Sequence, residues 1–552
     1  MKRIYTFSFL FITCFLTLGS VLGQDVLDVP PGDDNAALFF TIAGDTLANG
    51  DRANLNRIYR LERGQNYLMA ATINANYPIR LIAGGDESLR PPMIIAGQFS
   101  DGNNIRPFFT LNGENDTHLF RDIFFNGVDL NRAIVGFTSA VVANGDGQSL
   151  TYEKCIFNGF TGGATRFEGA NNKIYIRDCE WRNGVSATHM FVGQQVTFPA
   201  LPVDTMVITN NTFFNNNAFW LFHENGLARF QVIEHNTIFT NLVDPMRLRF
   251  ASNTNLRSNL FYGTLAYGDS EEFRDLTVYE PDGTPTSIVS IYEVPSNILS
   301  AEGLVEADRV INVSNNAYFT PEPIRDYWET NSEVDDNIVW MNTRTKALFD
   351  DSDGHPYFRA ANNYNMDPNF TDNTAHDFVV NAVKDFCVTY RATLTPGEPL
   401  SGDAGSIRNY DAAGGVDILI DIEWPLPEHL GYTNATLLAG GHDGLPVGDL
   451  NWHDGMREQY DEPSQIDLVA TKDVVVAEFK LSPNPASTVL NVSGQEAMTR
   501  IEVYSITGRL ISTKETKLHN ENIDISNFEK GIYILKVHSK NTISAKQFVV
   551  NY

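Results

Sequence analysis

The chain is poor in cysteine and poor in positive charge. It has 4 cysteines in 552 residues. Cys14 lies inside an apolar N-terminal run, so only Cys155, Cys179 and Cys387 remain beyond it. An odd, sparse set of this kind excludes a disulfide-stapled scaffold. There are 40 Lys and Arg against 68 Asp and Glu, for a formal net charge of −28. That balance opposes non-specific binding to nucleic acid or anionic lipid. The zinc-protease helix, the phosphate-binding loop, the dinucleotide fingerprint and the Gly-x-Ser-x-Gly elbow are all missing. Long apolar runs are missing too. The longest, Ile4 to Leu18, is short for a bilayer span, and no basic stop signal follows it.

What is present begins with that run. Lys2 and Arg3 precede it, and Val21-Leu22-Gly23 closes it before Gln24, which predicts a signal peptide over residues 1–23 cleaved after Gly23. Thr13 before Cys14, and the apolar residues beyond it, argue against lipidation. Losing Lys2 and Arg3 takes the formal charge from −28 to −30. Such a mature chain is soluble outside the cell and leaves room for cation sites. With 43% hydrophobic and 11% aromatic residues, it can also build a core.

One motif recurs: a short apolar strand, a small or amide residue, then an aromatic or aliphatic pair followed by Asn or Gly. It runs through Tyr152-Glu-Lys-Cys155-Ile-Phe157 and Tyr175-Ile-Arg-Asp-Cys179-Glu-Trp181. It returns in Val207-Ile-Thr-Asn-Asn211-Thr-Phe213, Val232-Ile-Glu-His-Asn236-Thr-Ile238, Leu256-Arg-Ser-Asn259-Leu-Phe261 and Val313-Ser-Asn-Asn316-Ala-Tyr318. Cys155 to Cys179 is 24 residues, Asn211 to Asn236 is 25, and Asn236 to Asn259 is 23. The steps of 32 and 57 accommodate inserted loops. A period near two dozen predicts a right-handed parallel β-helix over residues 24–460. Equivalent residues then stack one strand spacing apart, roughly 4.8 Å. Asn at the same corner forms an amide ladder, and Cys155 and Cys179 share its column as buried free thiols. The early coils, from Ile79 to Phe125, are degenerate, and 265–310 and 320–470 are expected to be long loops packed on the solenoid.

The repeat over about 60–320, with Asn365-Met-Asp367-Pro368-Asn-Phe370, resembles the pectin-lyase-like superfamily of parallel β-helix proteins. The segment Gly441-His-Asp-Gly444-Leu-Pro-Val-Gly448-Asp-Leu-Asn-Trp452 resembles a terminal motif of secreted β-helix proteins of Bacteroidetes and is expected to cap the solenoid. Asp443 and Asp449 offer carboxylates to a cation as a second role. Residues 461–478 form a linker. From 479 to 552, the turn at Pro483-Asn484-Pro485, Val503-Tyr504 with Gly508-Arg509, and Gly531-Ile-Tyr533 alternate apolar residues as in a small β-sandwich. They resemble the type A sorting domain of the Por, or type IX, secretion system. This segment holds nine Lys or Arg against six Asp or Glu, a charge contrast that marks an independent module.

Site residues are expected on outward strand positions, since alternate residues enter the core. If Phe167, Met190, Phe222 and Leu248 point inward, one outward column holds Arg166, His189, Leu221 and Arg247. The other holds Glu168, Phe191, His223 and Arg249. From Arg166 to Arg257 there are eight Lys or Arg, seven acids and three His, a locally less acidic stretch suited to a sugar uronate. The resemblance to β-helix polysaccharide lyases implies uronate β-elimination. A base removes the C5 proton while Arg or Ca²⁺ neutralises the adjacent carboxylate. Calcium is the cofactor such chemistry admits, and no residue pattern here specifies a metal.

In that reading His223 is the base and Arg247 or Arg249 the neutraliser, with Arg166, Glu168, His189, Phe191 and Glu224 binding substrate. The alternative is a non-catalytic glycan-binding or adhesion protein. A glycoside hydrolase, which needs two flanking carboxyl groups such as Glu168 and Glu224, is the third. Trp181, Trp220 and Phe191 offer faces for sugars. The expected partners are a polysaccharide and, through 479–552, the type IX machinery. No nucleic acid and no transmembrane segment in the mature chain are expected. Deleting 479–552 should strand the protein in the periplasm of its native host. Undiminished surface or medium levels on fractionation would contradict that.

Overall fold

In a computed structural model, the chain divides into two compact units, Met1–Leu468 and Val469–Tyr552. The structure describes residues 26–551 apart from 33–36, 99–101, 130–133, 137, 199–200, 224–225, 269–283, 285, 332–333, 335–338, 395–401, 406–409, 411–421, 423, 463–478, 495–496, 506–509, 529 and 540–542. The predicted signal peptide and most of the predicted linker lie outside the described residues.

The first unit is a parallel β-helix with three sheets, of eleven, ten and seven strands. One coil shows the plan: Val203–Thr209 in the first sheet, Thr212–Asn216 in the second and Leu221–His223 in the third. The next coil repeats it with Ala228–Glu234, Thr237–Asn241 and Met246–Leu248. Every strand pair within these sheets is parallel, and apart from register shifts at Gly162–Thr165, Asn172–Lys173 and Ile95–Ala96 the strands align residue on residue, as in Val207 on Val232 and Phe213 on Ile238. Alternate residues enter a continuous interior of Ile, Leu, Val and aromatic side chains. Inside it, Phe125, Phe157, Trp181 and Phe213 form a column with successive centroid distances of 4.8, 3.9 and 5.9 Å. Trp181 and Trp220 are therefore core residues, contrary to the sugar-stacking expectation.

In eight successive coils the corner between the first and second sheets takes two residues. The first is left-handed at Asp122, Lys154, Asp178, Asn210, His235, Ser258, Asn315 and Asn362. The second is Ile123, then Cys155 and Cys179, and continues as Asn211, Asn236, Asn259, Asn316 and Asn363. Each Asn donates through Nδ2 to Oδ1 of the next, at 2.9, 2.9, 3.0 and 3.0 Å. The backbone N–H of Asn211, Asn236, Asn259 and Asn316 donates to the same oxygen, at 3.0–3.2 Å. The second Nδ2 hydrogen goes to buried carbonyls such as Ile208 and Glu234 for Asn236. The corner thus leaves none of these buried amides unsatisfied. Cys155, Cys179 and Cys387 are buried thiols outside any disulfide.

The regions expected as loops contain more order than the repeat predicted. Phe358–Ala361 continues the first sheet, and Glu322–Thr330, Thr343–Asp350 and Thr374–Ala392 are helices. The last buries Val379, Val380, Val383, Phe386, Cys387 and Tyr390, a helical spacing that a search for strand repeats passes over. With Glu322–Thr330 it covers the outer face of the second sheet around Phe214, Phe239 and Tyr262.

The predicted end-cap segment does something else. Residues 437–462 run as a strap along the left-handed corner. Gly440 meets Asn315, His442 meets Ser258, Asp443 meets His235, and Arg457 meets Asp178. Gly448 permits the closest approach. It has φ +97°, and a Cβ there would stand 2.6 Å from Thr237 Oγ1.

The second unit is a β-sandwich. Its antiparallel sheets have three and four strands, and share a core in which Leu490, Val492 and Ile523 meet Ile501, Leu535 and Phe548.

Asn236→Ala removes the shared acceptor of two buried Asn211 N–H groups, and should cost about 2–4 kcal/mol. Calorimetry should show a lower melting transition for the β-helix, and hydrogen exchange should show weaker protection at Asn211. An unchanged transition would mean that the ladder is not stabilising.

Candidate functional site

The outward columns expected on the third sheet do not form. The strand of that coil is Gln194–Phe198, so His189 and Phe191 precede it. Register puts Arg166, Thr197, Phe222 and Arg247 at one level, and Phe167, Phe198, His223 and Leu248 at the next. The loop between second-sheet and third-sheet strands varies in length from coil to coil, so distance from the repeat motif does not set the register. A slip of one residue exchanges the faces. His223 is level with core residues Phe198 and Leu248 rather than with Arg249. Arg166 and Arg247 are three strand spacings apart, roughly 14 Å.

The individual residues are equally dispersed. Arg247 is buried beside Asp244, with its guanidinium 5.1 Å from the Phe219 ring. Arg249 is half-buried over Tyr292 at 5.3 Å. Arg166 is ion-paired with Glu168. His189 is exposed in a turn, and Phe191 packs against the outer apolar cluster. Glu224 lies outside the described residues. The near-neutral stretch is not a basic groove, because its cations are locally compensated. Lys173 faces Asp204 at 3.6 Å, Arg177 faces Glu462 at 3.5 Å, and Arg182 faces Glu428 at 2.5 Å. Arg229 meets Glu302 at 2.6 Å and Arg257 meets Glu234 at 2.5 Å.

Acid–base side chains converge instead where the strap crosses the corner. Glu234, Arg257, His442, Asp443 and Tyr460 line a cleft of about 430 Å³. Glu234 ends a first-sheet strand and His235 follows in the left-handed turn. The strap supplies His442, Asp443 and Tyr460 from more than two hundred residues away. Tyr460 donates its hydroxyl hydrogen to Glu234 Oε2 at 3.0 Å, and Arg257 Nε donates to Oε1 at 2.8 Å. His442 donates its backbone N–H to Ser258 Oγ at 2.9 Å, and its Nδ1 lies 2.8 Å from the same oxygen. Burial lowers the His442 pKa despite the nearby Glu234 charge. Burial, reinforced by Glu234, raises that of Tyr460. Burial also pulls Asp443 upward, but the hydrogen bond and charge of His235 and the Leu445 N–H outweigh it, and its pKa falls to about 2.

On the other flank of the strap, a second cleft of about 380 Å³ is lined by Thr371, His429, Tyr432, Trp452, His453 and Met456. Trp452 is half-buried, and its Nε1–H donates to Thr212 Oγ1 at 2.8 Å. This fixes the ring, and the exposed His429 ring stands 5.5 Å away. Tyr432 meets His453 edge-on at 4.6 Å. The sequence signal for both clefts is the motif Gly441–Trp452 itself, whose resemblance to a terminal motif points to an end-cap instead.

Asp449 is not beside Asp443 in a cation site. It caps the turn Leu450–Trp452 and accepts from Asn451 N at 3.0 Å and Thr212 Oγ1 at 2.8 Å. Burial raises its pKa to about 6, against those hydrogen bonds.

A family model, the secretion system C-terminal sorting domain, matches residues 480–551. The chain is thus marked for secretion through the type IX system to the cell surface or extracellular space. No curated protein matches the chain.

Well below the ordinary aspartate value of about 4, Asp449 is protonated both folded and unfolded and has no effect on stability. As pH rises from about 4 to about 6, the unfolded carboxyl gives up its proton before the folded one does, and stability falls by at most on the order of 3 kcal/mol, the loss being complete above about 6. Asn at this position keeps Oδ1 for Asn451 and presents an N–H to the Thr212 hydroxyl. The melting temperature of Asp449→Asn relative to wild type should therefore rise between pH 4 and pH 8. A difference independent of pH would contradict this.

Proposed function

We propose that this secreted protein binds a polysaccharide outside the cell, with the strap of the β-helix as its working surface. The observation that carries this reading is the cleft at Trp452. A half-buried indole locked by Thr212, an exposed His429 ring and the edge of Tyr432 stand around a space of about 380 Å³. Rigid aromatic faces with adjacent polar groups suit the alternating apolar and hydroxylated faces of a sugar ring. Most cations between Arg166 and Arg257 are held by carboxylates, which favours binding over carboxylate neutralisation there.

Uronate β-elimination is the second reading, and one observation favours it. His442, Tyr460 and Arg257 line a single cleft, and these are residue types that serve as base and neutraliser. Arg257 already holds Glu234 by two contacts, so it has to leave that partner before it can neutralise a substrate carboxylate.

The test is to incubate the untagged mature chain with pectate, alginate, glucuronan and glycosaminoglycans. Retention by affinity electrophoresis and absorbance from new unsaturated ends are then followed together. Retention without new ends is expected. Trp452→Ala and His429→Ala should each weaken it about tenfold or more, the loss of one stacked ring. Unsaturated ends would establish the lyase reading, and reducing ends alone a hydrolase. Full retention in both variants would exclude the Trp452 cleft.

A further inference from the structure

The corner and the strap meet most tightly where His235 faces Asp443. His235 is fully buried, and its Nδ1 lies 3.0 Å from the Pro446 carbonyl oxygen. A carbonyl has no proton to give, so Nδ1 carries the hydrogen of that bond. In the neutral ring Nε2 is then a lone pair. It stands 3.1 Å from an Asp443 carboxylate oxygen, another lone pair. Two such atoms at that distance share a cation, either a second proton on the imidazole or a metal ion.

The surroundings favour the metal. His442, next to Asp443 in the chain, has Nδ1 2.8 Å from Ser258 Oγ, which leaves its Nε2 outside that contact. One ligand atom from each of His235, His442 and Asp443 lies within 4.8 Å of the other two. Both rings therefore have one nitrogen anchored on an oxygen outside the cluster and the other turned elsewhere. That is how outer partners orient histidines that bind metals. A proton shared by His235 and Asp443 accounts for neither the Ser258 anchor nor the second imidazole. Glu234 adds negative potential, with Oε2 3.6 Å from His442 Nε2.

We propose that His235, His442 and Asp443 bind one divalent transition-metal ion of the zinc class. Two imidazoles and a carboxylate are ligands that zinc accepts, with a fourth tetrahedral position left for water or a ligand oxygen. Calcium, which takes oxygen ligands, is disfavoured by the two nitrogens. Tetrahedral zinc spaces its ligand atoms by about 3.4 Å, so side-chain adjustments within the present cluster complete the site. The ion joins the strap to the corner beside the cleft of Glu234, Arg257 and Tyr460. This site is independent of the Trp452 cleft and of any glycan.

The experiment uses the untagged mature chain, stripped with a chelator and titrated with Zn²⁺ and separately with Ca²⁺ by calorimetry. Melting temperature is followed in parallel. One equivalent of Zn²⁺ should bind and raise the melting temperature, while Ca²⁺ should do neither. His442→Ala and Asp443→Asn should weaken zinc binding about 100-fold or more. Absence of saturable zinc uptake would overturn the proposal, as would equal affinity in both variants or equal affinity for calcium. Should a variant misfold, Co²⁺ added to the wild-type chain decides. Visible absorption of a tetrahedral nitrogen and oxygen site supports the assignment, and its absence defeats it.

Discussion

A parallel β-helix has to turn its backbone sharply at every coil without stranding buried polar groups. Here the turn between the first and second sheets does so with a left-handed residue followed by an amide. Each Asn from 211 to 316 spends its side-chain N–H on the next Asn and receives that of its predecessor where there is one. A neutral side chain with both donors and an acceptor can be repeated along an axis. A charged one cannot, because like charges would stack one strand spacing apart. Below Asn211 the column changes to Cys179 and Cys155. There the amide oxygen of Asn211 accepts from Cys179 N at 2.8 Å, and Cys155 N meets the Cys179 sulfur at 3.4 Å. The ladder holds successive coils in register, and with them every other column of side chains.

The same corner sets where a second layer can dock. Residues in the left-handed position, just before the ladder, are polar in all eight coils: Asp122, Lys154, Asp178, Asn210, His235, Ser258, Asn315 and Asn362. The strap makes hydrogen bonds to at least four of them. It thereby buries Glu234, His235 and Ser258, which would otherwise be surface groups of an ordinary turn. Burial raises the electrostatic stakes. Arg257 and Tyr460 hold Glu234, and Asp443 stands against His235. The Trp452 ring is held by a hydroxyl from the second sheet. The surface proposed above for binding is therefore a seam between segments far apart in the chain, rather than a row of outward residues on one sheet.

Charge follows a related logic. The chain is strongly acidic as a whole, yet the stretch from Arg166 to Arg257 is nearly neutral because most of its cations sit beside carboxylates. Several of those partners, Glu302, Glu428 and Glu462, come from outside the stretch. A count along the sequence sees only the cations and their near neighbours. The folded molecule brings distant acids to them, and the field available to a substrate falls accordingly.

The amino-acid sequence by itself determined the parallel β-helix, the ladder column from Cys155 to Asn316 and the C-terminal sorting domain. These rest on residue identity at a repeated spacing, and stacking turns equal spacing into contact. Asn363 escaped because its coil follows a long insertion, and the helix Thr374–Ala392 because its period is helical. Only the tertiary structure decided the site. Phe167 and Leu248 enter the core as the repeat predicts, but the strand of Phe222 and His223 is offset by one residue, because loops of unequal length precede it. His235 and Asp443 are 208 residues apart, in a turn and a strap that share no periodicity. Their meeting depends on the path of the strap along the corner, which no local pattern encodes.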